Sequence, residues 1–482
     1  MGSIFKSLEI EVDISKQQLS EVDISKLLHW ASRKGLAEKI EAFFTGKLVN
    51  NTEHRAALHP LLRMNQNLNK DTVQELQQPI SKIKACKAKI KAFCEAFHKG
   101  KHCAYNGKKI TTIVNIGIGG SDLGADLVTD ALRFKYPNAY KTYFVNNIDA
   151  HLAYEVLKEI KLDETLFLVV SKSFTTEETL ANAVFFKEKV KAFFQSDKAI
   201  EHHFIAVTAK ENAAKDFGIS ANAIFPMWDW IGGRFSLWSA VGLPIALSLG
   251  FDVFEELHKG GAQMDEHFRR SPFSENLPII LALIGIWNNN QMDYASEAVV
   301  PYDLRLRKLV PWLQQLSMES NGKSVNRDGS PIHYHTAPAI WGGVGTSVQH
   351  SFFQMLHQGT RVVPVTFLSV QKPEHDAHEM HQKLLTNAKA QMLALNKGRT
   401  VKELSANNVP NELIPFKTFE GNRPSTSIAL EQLNPKTLGS LLVMYEHQIL
   451  VQGILWDINP FDQFGVELGK EMAKDLEKQN IY

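Results

Sequence analysis

Hydroxyl groups and one cation crowd the start of a predicted helix in the first third of the chain. The apolar run TLFLVV, residues 165–170, leads directly into SKSFTTEE, residues 171–178, and then into a helical pattern. Free backbone N–H groups, a helix dipole, short hydroxyl donors and a lysine are the groups that bind a phosphate monoester. Ordinary helix capping would use a single Ser or Thr. Four hydroxyl residues in six positions therefore favour a phosphate site.

A glycine-rich segment, GIGGSDLG at residues 117–124, follows the apolar run TTIVN. Glycines at such a turn let backbone N–H groups approach an anion at a helix N-terminus. As a dinucleotide fingerprint the segment is weak, because the expected acidic residue is matched only by Asp149, at the wrong distance. An anion loop and a plain strand-to-helix turn both stay open. Together with residues 171–178, the segment predicts a phosphorylated small molecule at the carboxyl ends of parallel strands.

Two further segments supply an arginine and a carboxylate. In WDWIGGRFSLW, residues 228–238, two glycines present Arg234 between aromatic residues. This guanidinium can stabilise an oxyanion or form a structural clamp with Asp229. In SMESNGK, residues 317–323, Glu319 leaves the buried face of a predicted helix. A carboxylate there either caps a helix connection or is desolvated and acts as a general base.

Isolated polar residues near the end of the chain carry less information. His350 follows the glycine-rich WGGVG, and Gln463 and Lys470 lie before or on a charged helical pattern. A single histidine among apolar residues is more often a hydrogen-bonded core residue than a catalyst. Two histidine-rich segments, residues 333–335 and 374–381, fit a strand and a surface turn better than a ligand set. We therefore predict no metal site.

Composition narrows the class of protein. Lys and Arg number 53 against 52 Asp and Glu, so the surface lacks the field that would hold a nucleic acid or an acidic membrane. The longest apolar run, residues 277–287, is shorter than the roughly 20 residues of a membrane span. Three cysteines, Cys86, Cys94 and Cys103, do not resemble a disulfide framework. With no targeting segment in the first residues, we expect a cytoplasmic protein.

Hydrophobic periodicity places these segments on an α/β scaffold. From residue 111, the runs TTIVNIGIG, KTYFVN, TLFLVVS and HHFIAVT alternate with amphipathic stretches, and a second such cycle follows residue 250. The alternation predicts two doubly wound lobes with parallel sheets flanked by helices. The predicted domains are a helical N-terminal extension (1–105), a first lobe (106–245), a second lobe (246–465) and a C-terminal helix (466–482). Residues 419–431 are predicted to form a loop.

Seven strings of the sequence together resemble the glucose-6-phosphate isomerase (phosphoglucose isomerase) family. In the order typical of the family they are NTEHRAALH, VNIGIGGSDLG, VSKSFTTEET, WDWIGGRFSLWS, MESNGK, QHSFFQMLHQGT and FDQFGVELGK, between residues 51 and 470. The resemblance implies a two-lobed sugar-isomerase fold and a homodimer with shared active sites, without cofactor or metal. It also implies an enzyme of glycolysis and gluconeogenesis that interconverts glucose 6-phosphate and fructose 6-phosphate through a cis-enediol.

The same resemblance implies roles for particular residues. Glu319 resembles the base that moves a proton between carbons 2 and 1, and Arg234 the cation that stabilises the enediolate. His350, expected from the other subunit, and Lys470 resemble the pair that opens the sugar ring. The other implied residues are contacts to the phosphate and orienting amides: Gly120, Ser121, Ser171, Lys172, Ser173, Thr176, Gln315 and Gln463.

The chain departs from the family pattern in GTSVQH, residues 345–350, where many relatives carry Asn-Gly before Gln-His. Val348 is bulkier and stiffer than glycine, which allows a backbone shift near His350. Ser173 stands where Thr is frequent and keeps the hydroxyl group.

Three alternatives stay open from the sequence. One is a bifunctional isomerase that also accepts mannose 6-phosphate, which differs only at the carbon being deprotonated. Another is a regulator of the same fold that senses a sugar phosphate without turnover and could dispense with Glu319, Arg234 and Lys470, all present here. A dehydrogenase is the least favoured, because the glycine loop lacks the acidic partner of a dinucleotide site.

Overall fold

The computed structural model of the protein describes residues 3–64 and 74–479. Its strands are short runs rich in β-branched and aromatic residues, as β-propensity predicts. In chain order they are β1 (Ile4–Ser7), β2 (Ile10–Lys16), β3 (Thr112–Ile116), β4 (Lys141–Val145), β5 (Thr165–Val170), β6 (Phe204–Thr208), β7 (Ile224–Pro226), β8 (Ser296–Tyr302), β9 (Ala339–Gly342), β10 (Val365–Val370) and β11 (Ser425–Leu430).

Helices connect and cover these strands. They are α1 (Glu21–Arg33), α2 (Leu36–Phe44), α3 (Gln77–His98), α4 (Leu123–Leu132), α5 (Ala150–Glu159), α6 (Glu177–Phe194), α7 (Ala199–His203), α8 (Glu211–Asp216), α9 (Leu243–Leu249), α10 (Phe251–Arg270), α11 (Leu277–Ile286), α12 (Leu309–Gln314), α13 (Phe353–Gln358), α14 (His378–Lys397), α15 (Val401–Ala406), α16 (Ile414–Lys417), α17 (Pro435–Leu455) and α18 (Glu467–Lys478). Two π-helical turns, Trp287–Gln291 and Gln315–Glu319, prolong α11 and α12.

The first sheet has the strand order β4-β3-β5-β6-β7, and every pairing in it is parallel. Each residue of β3, β5 and β6 is buried, which explains their largely apolar sequences. The chain leaves β3 toward β4 on one side and later adds β5 on the other. The carboxyl ends of β3 and β5 therefore form the switch point of a doubly wound sheet, where ligands bind in such folds. This sheet confirms the predicted α/β class.

The second sheet has the order β1-β2-β11-β10-β8-β9, with β8 to β11 parallel and β1 and β2 antiparallel at one edge. The predicted loop at residues 419–431 is wrong, because β11 is an interior strand paired with both β10 and β2. The polar composition of this segment, with Gly421 and Pro424, suggested a loop, and the strand itself begins with the polar residues Ser425 and Thr426. Both residues are buried in the sheet, where strand pairing satisfies their backbone groups.

The N-terminal extension is not purely helical as predicted, because β1 and β2 belong to the second sheet. Along β2, Ile10, Val12 and Ile14 are buried and alternate with more accessible polar residues. This is the period-2 pattern of a strand, hidden in the sequence by its charged neighbours. The helical remainder, α1 to α3, agrees with the prediction, and the domain boundaries stay predictions.

Two C-terminal helices differ in their surroundings. Among the described helices, α17 alone is long and apolar enough to cross a membrane, but 94% of its apolar window is buried inside the protein. It packs between α10 and α11, as a core helix does. By contrast, every residue of α18 is exposed. The apolar helix is therefore part of the core, and the charged helix lies on the surface.

Candidate active site

A cavity of about 350 Å³ opens at the switch point of the first sheet. It lies between the glycine loop that follows β3 and the hydroxyl-rich segment that follows β5. Five residues predicted to contact a phosphate line it: Ser121, Ser171, Lys172, Ser173 and Thr176. We call this space the phosphate cavity. The structure thus brings together the two segments that the sequence singled out for anion binding.

The hydroxyl groups of the phosphate cavity are available to a ligand. Ser171 is buried, and its Oγ lies 3.1 Å from Oγ1 of Thr176. Thr176 occupies the N-cap position of α6, yet its side chain caps no described N–H group of that helix. Ordinary capping therefore does not account for this hydroxyl. The N–H groups in the first turn of α6 point toward the N-terminal end of the helix, where an anion is stabilised.

The cation of the phosphate cavity is held by the loop that carries Arg234. Lys172 Nζ donates to the carbonyls of Asp229 (3.2 Å) and Ile231 (3.4 Å) and lies 3.5 Å from the Asp229 carboxylate. Burial, aided by the positive charge of Arg55, lowers the pKa of Lys172, and Asp229 opposes this. The carboxylate offered by the sequence as a clamp for Arg234 thus pairs with Lys172.

Arg234 is the most constrained cation of the site. Its side chain is 1% exposed and lies on a short turn after Gly233. The guanidinium donates to five acceptors: Glu319 Oε1 (2.8 Å), Gln463 Oε1 (3.0 Å), Ser320 Oγ (2.5 Å) and the carbonyls of Pro460 (2.7 Å) and Asp462 (3.0 Å). Desolvation lowers its pKa, with Glu319 and Asp462 acting against this. Because an arginine pKa starts above 12, the group stays charged.

Glu319 lies at the end of the π-helical turn that prolongs α12, a distortion that is frequent at functional sites. One carboxylate oxygen accepts from Arg234, and the other accepts from Nε2 of Gln315 at 2.9 Å. The side chain is 23% exposed, so a small molecule can reach it. Each oxygen keeps a lone pair for a further proton. Arg234 and Glu319, called here the arginine–glutamate pair, are thus a guanidinium and a carboxylate held in fixed positions.

Close backbone contacts join the phosphate cavity to the arginine–glutamate pair. A Cβ atom added to Gly120 would lie 2.1 Å from the carbonyl group of Gly233, so only glycine fits there. The Ser236 hydroxyl donates to the Gly120 carbonyl at 3.0 Å. A Cβ added to Gly119 would lie 2.9 Å from Nε2 of Gln315. The glycine loop is therefore a wall shared by both parts of the site.

A second ion pair adjoins the site, and no pattern in the sequence indicated it. Lys323 Nζ donates to Oδ1 of Asp462 at 2.8 Å. The other oxygen of Asp462 accepts from Thr52 (2.7 Å) and Asn459 (2.9 Å). The strings NTEHRAALH, MESNGK and FDQFGVELGK contain or adjoin these residues, but no local pattern shows that they meet. Their position explains why the chain carries this polar island near residue 51.

The other two residues predicted to be catalytic, His350 and Lys470, both lie on the surface of the protein. His350 is exposed on the turn Ser347–His350, and Lys470 is exposed on α18. Within the described part of the chain, neither makes a hydrogen bond or ion pair to Arg234 or Glu319. The turn itself is anchored, because Gln349 donates to the Tyr302 hydroxyl at 2.7 Å and Val348 packs on the apolar cluster around it.

Two doubly wound sheets with an anion cavity at a switch point, beside a carboxylate fixed by a buried arginine, define the class of sugar-phosphate isomerases. The profile of the family described as Phosphoglucose isomerase matches residues 13–481. The chain belongs to this family.

Similar proteins agree with this assignment. A glucose-6-phosphate isomerase of Chlorobium luteolum is 45% identical over 473 residues, covering 96% of this chain and 86% of the relative. One of Christiangramia forsetii is 44% identical over 480 residues with the same coverage. The crystal structure of a glucose-6-phosphate isomerase from Chlamydia trachomatis superposes with a TM-score of 0.89 at 35% identity, over 100% of this chain and 90% of that chain.

Proposed function

We propose that the protein interconverts glucose 6-phosphate and fructose 6-phosphate through a cis-enediol, a step of glycolysis and gluconeogenesis. The observation that carries the proposal is the contact of 2.8 Å between Arg234 and Glu319 beside a cavity lined with hydroxyl groups. The family and its relatives make the chain an isomerase of this substrate class. The residue roles below are those that the family resemblance implies, and the geometry of the site supports them.

The phosphate group of the substrate fits the phosphate cavity. Ser171, Ser173 and Thr176 offer hydroxyl donors, Lys172 offers a charge, and Gly120 and Ser121 offer the glycine loop. Binding there fixes the phosphate end of an open-chain sugar, so that the other end extends toward the arginine–glutamate pair. A held substrate converts the proton transfer into an intramolecular step.

The proton transfer uses both members of the arginine–glutamate pair. Glu319 accepts the proton from carbon 2 of the aldose, and the electron pair of the broken C–H bond forms the enediolate, whose negative charge lies on oxygen 1. The charge of Arg234 stabilises this anion, a kind of interaction commonly worth about 10²–10³ in rate. A proton moves from the hydroxyl group on carbon 2 to oxygen 1, and Glu319 returns its proton to carbon 1, giving the ketose. Gln315 and Gln463 keep the carboxylate and guanidinium oriented.

This chemistry uses only side chains, so we propose that it needs no cofactor or metal.

The buried Cys86 and Cys94 and the half-buried Cys103 are all unpaired thiols. Burial raises the pKa of Cys86 and of Cys94 to about 12, which keeps both protonated and unreactive. Free thiols of this kind fit a reducing compartment, and we propose a cytoplasmic location.

We propose a homodimer in which His350 of the partner subunit and Lys470 open the sugar ring. The support is α18, where Leu468, Met472 and Leu476 recur every four residues and are 64%, 50% and 49% exposed. Such a row forms one face of the helix, and an exposed apolar face of this kind marks an association surface. Lys470 lies two residues from Leu468, about 200° around the helix, so it projects from the other side of α18 and stays uncovered by such a contact.

The first experiment measures conversion of fructose 6-phosphate to glucose 6-phosphate in excess EDTA, coupled to a glucose-6-phosphate dehydrogenase. We expect rapid NADPH production by the wild type. Glu319→Gln keeps the shape and loses the basicity, so kcat should fall by roughly 10²–10⁴-fold while fructose 6-phosphate affinity stays close to wild type. A variant that retains comparable turnover would refute Glu319 as the base.

Two further measurements on the wild type, direct binding of fructose 6-phosphate and product analysis by NMR, separate the alternatives. An inactive wild type that still binds fructose 6-phosphate would favour a sensing protein. Production of mannose 6-phosphate from the same substrate would reveal the bifunctional activity.

The dimer is tested by analytical ultracentrifugation of Met472→Glu, with Val401→Glu as the matched control. Val401 is 54% exposed on α15, so the two changes place the same charge on an exposed apolar position. We expect a wild-type dimer, and dissociation with loss of turnover for Met472→Glu alone. A monomeric, fully active wild type would contradict the shared active site.

A further inference from the structure

The arginine–glutamate pair adjoins a second ion pair that is also largely shielded from water. Lys323 and Asp462, called here the lysine–aspartate pair, have side chains 15% and 9% exposed, with 2.8 Å between Nζ and Oδ1. Lys323 follows Glu319 by four residues, and its Nζ also donates to the Glu319 backbone carbonyl at 3.2 Å. The cation is thus tied to the turn that carries the proposed base.

One carbonyl group connects the two ion pairs. The backbone oxygen of Asp462 accepts from Lys323 Nζ at 2.6 Å and from Arg234 Nη2 at 3.0 Å. Thr52 and Asn459 hold the second carboxylate oxygen of Asp462, so its side chain is fixed on both sides. Two cations and two carboxylates therefore form one connected cluster.

The charges of this cluster match the two states of the reaction. With Glu319 ionised, the two cations and two anions sum to zero. Once Glu319 has taken the proton from carbon 2, the sum is plus one, opposite to the enediolate. At low exposure such charges are weakly screened, so their sum affects the energy of the intermediate. The other charged neighbours are Glu53, which acts on Arg234, and Arg55, whose ion pair with Glu53 leaves no net charge.

We propose that the lysine–aspartate pair sets the charge balance of the arginine–glutamate pair during proton transfer. Lys323 and Asp462 are positioning residues, because they touch Glu319 and Arg234 through the backbone. Lys323 compensates Asp462, which leaves the charge of Arg234 free for the enediolate. The proposal rests on the proposed function, in which Glu319 is the base.

The test is the pH profile of kcat/KM for fructose 6-phosphate in two variants that remove opposite charges. Lys323→Met leaves a surplus negative charge, which favours a protonated Glu319 and disfavours the enediolate. We expect its acidic limb to move up by about one pH unit and its kcat to fall about 10-fold. Asp462→Asn leaves a surplus positive charge, and its acidic limb should move down.

Opposite shifts separate a charge effect from structural damage, which would move both profiles alike or neither. Lys323→Arg keeps the charge and should restore the wild-type limb. The matched control is Lys108→Met, because Lys108 pairs with Asp163 at 2.7 Å near the amino ends of β3 and β5, opposite the site. This variant should leave the profile unchanged.

Shifts in the same direction, or unshifted limbs in folded Lys323→Met and Asp462→Asn, would overturn the proposal. If Asp462→Asn does not fold, the comparison of Lys323→Met with Lys323→Arg decides the outcome. An active Glu319→Gln in the same assay would instead refute the proposed base. The two failures are therefore distinguishable.

Discussion

The phosphate cavity and the arginine–glutamate pair are neighbours built in different ways. Half of the polar residues that line the cavity come from one continuous stretch, residues 171–176, at the end of β5. The pair joins positions 85 residues apart in the chain, and the carbonyl that supports it lies 228 residues from Arg234. The cavity is therefore a local motif, whereas the pair exists only when several segments have packed together.

The two regions also differ in their exposure. Lys172 of the cavity is 29% exposed and its partner Asp229 is 80% exposed, whereas Arg234 is 1% exposed with five acceptors in place. Water screens the first ion pair more than the second. In the proposed function, the cavity supplies an adaptable hold on the phosphate group and the buried pair supplies preorganised electrostatics. Variants of the cavity should therefore raise KM, whereas variants of the arginine–glutamate pair should lower kcat.

Arg234→Lys should have the largest effect. Lysine keeps the charge, but its single nitrogen cannot donate to Glu319 and to the carbonyls of the 460–463 segment together. We expect kcat to fall by about 10³-fold with a smaller change in KM. The control is Arg305→Lys, which changes an arginine paired with Asp303 away from the site and should stay near wild type. A kcat within tenfold of wild type for Arg234→Lys would contradict the role of the buried pair as preorganised electrostatics.

Gly120→Ala should impair both regions together. The added methyl group would meet the Gly233 carbonyl at 2.1 Å and push apart the two loops that the regions share. A displacement of this size commonly costs about 10²-fold, here in kcat/KM with both parameters changed. Gly233→Ala is the counterpart, because its methyl group would approach only the Gly120 Cα, at 4.0 Å. Equal kinetics in the two variants would show that the contact is unimportant.

Ser171→Ala and Thr176→Val should affect the cavity alone. Each removes a hydroxyl donor that we assign to the phosphate group, so KM for fructose 6-phosphate should rise about 10-fold with little change in kcat. Thr386→Val is the matched control, since Thr386 is exposed on α14 and does not line the cavity. A loss confined to kcat would count against a binding role.

Asp122→Asn should change stability without a large effect on turnover. Asp122 follows the glycine loop, and burial raises its pKa to about 7, although Asn146 donates to it at 2.6 Å. The folded protein thus holds this proton more tightly than the unfolded chain, and the associated stability is lost as the pH rises from about 4 to 7. Asparagine mimics the protonated carboxyl group.

Thermal melts at several pH values test this sign. The variant and the wild type should melt together near pH 4, and the variant should melt at a higher temperature above pH 7. Asp163→Asn gives the opposite expectation, because Lys108 lowers the pKa of Asp163 and the wild type gains from ionising it. A variant less stable than the wild type at pH 8 would contradict a buried, destabilising carboxylate at Asp122.

The sequence by itself determined the elements whose signals are local. The buried strands β3, β5 and β6 appear as continuous apolar runs, and the phosphate cavity follows from hydroxyl groups placed directly after one of them. The period and position of such residues fix their environment, because a strand end and a helix start lie within a few residues of each other. The resemblance to the family added Gln315 and the roles of the other site residues.

Only the tertiary structure decided which groups meet. The structure pairs Arg234 with Glu319, and it pairs Asp229 with Lys172 instead of with Arg234. The sequence left these pairings open. The structure also places Thr52 against Asp462, 410 positions away, and makes residues 425–430 an interior strand. Hydrogen bonds between distant segments depend on how the layers of the fold pack. A hydroxyl-rich segment can be buried or exposed, and its neighbours in space, not in sequence, determine which.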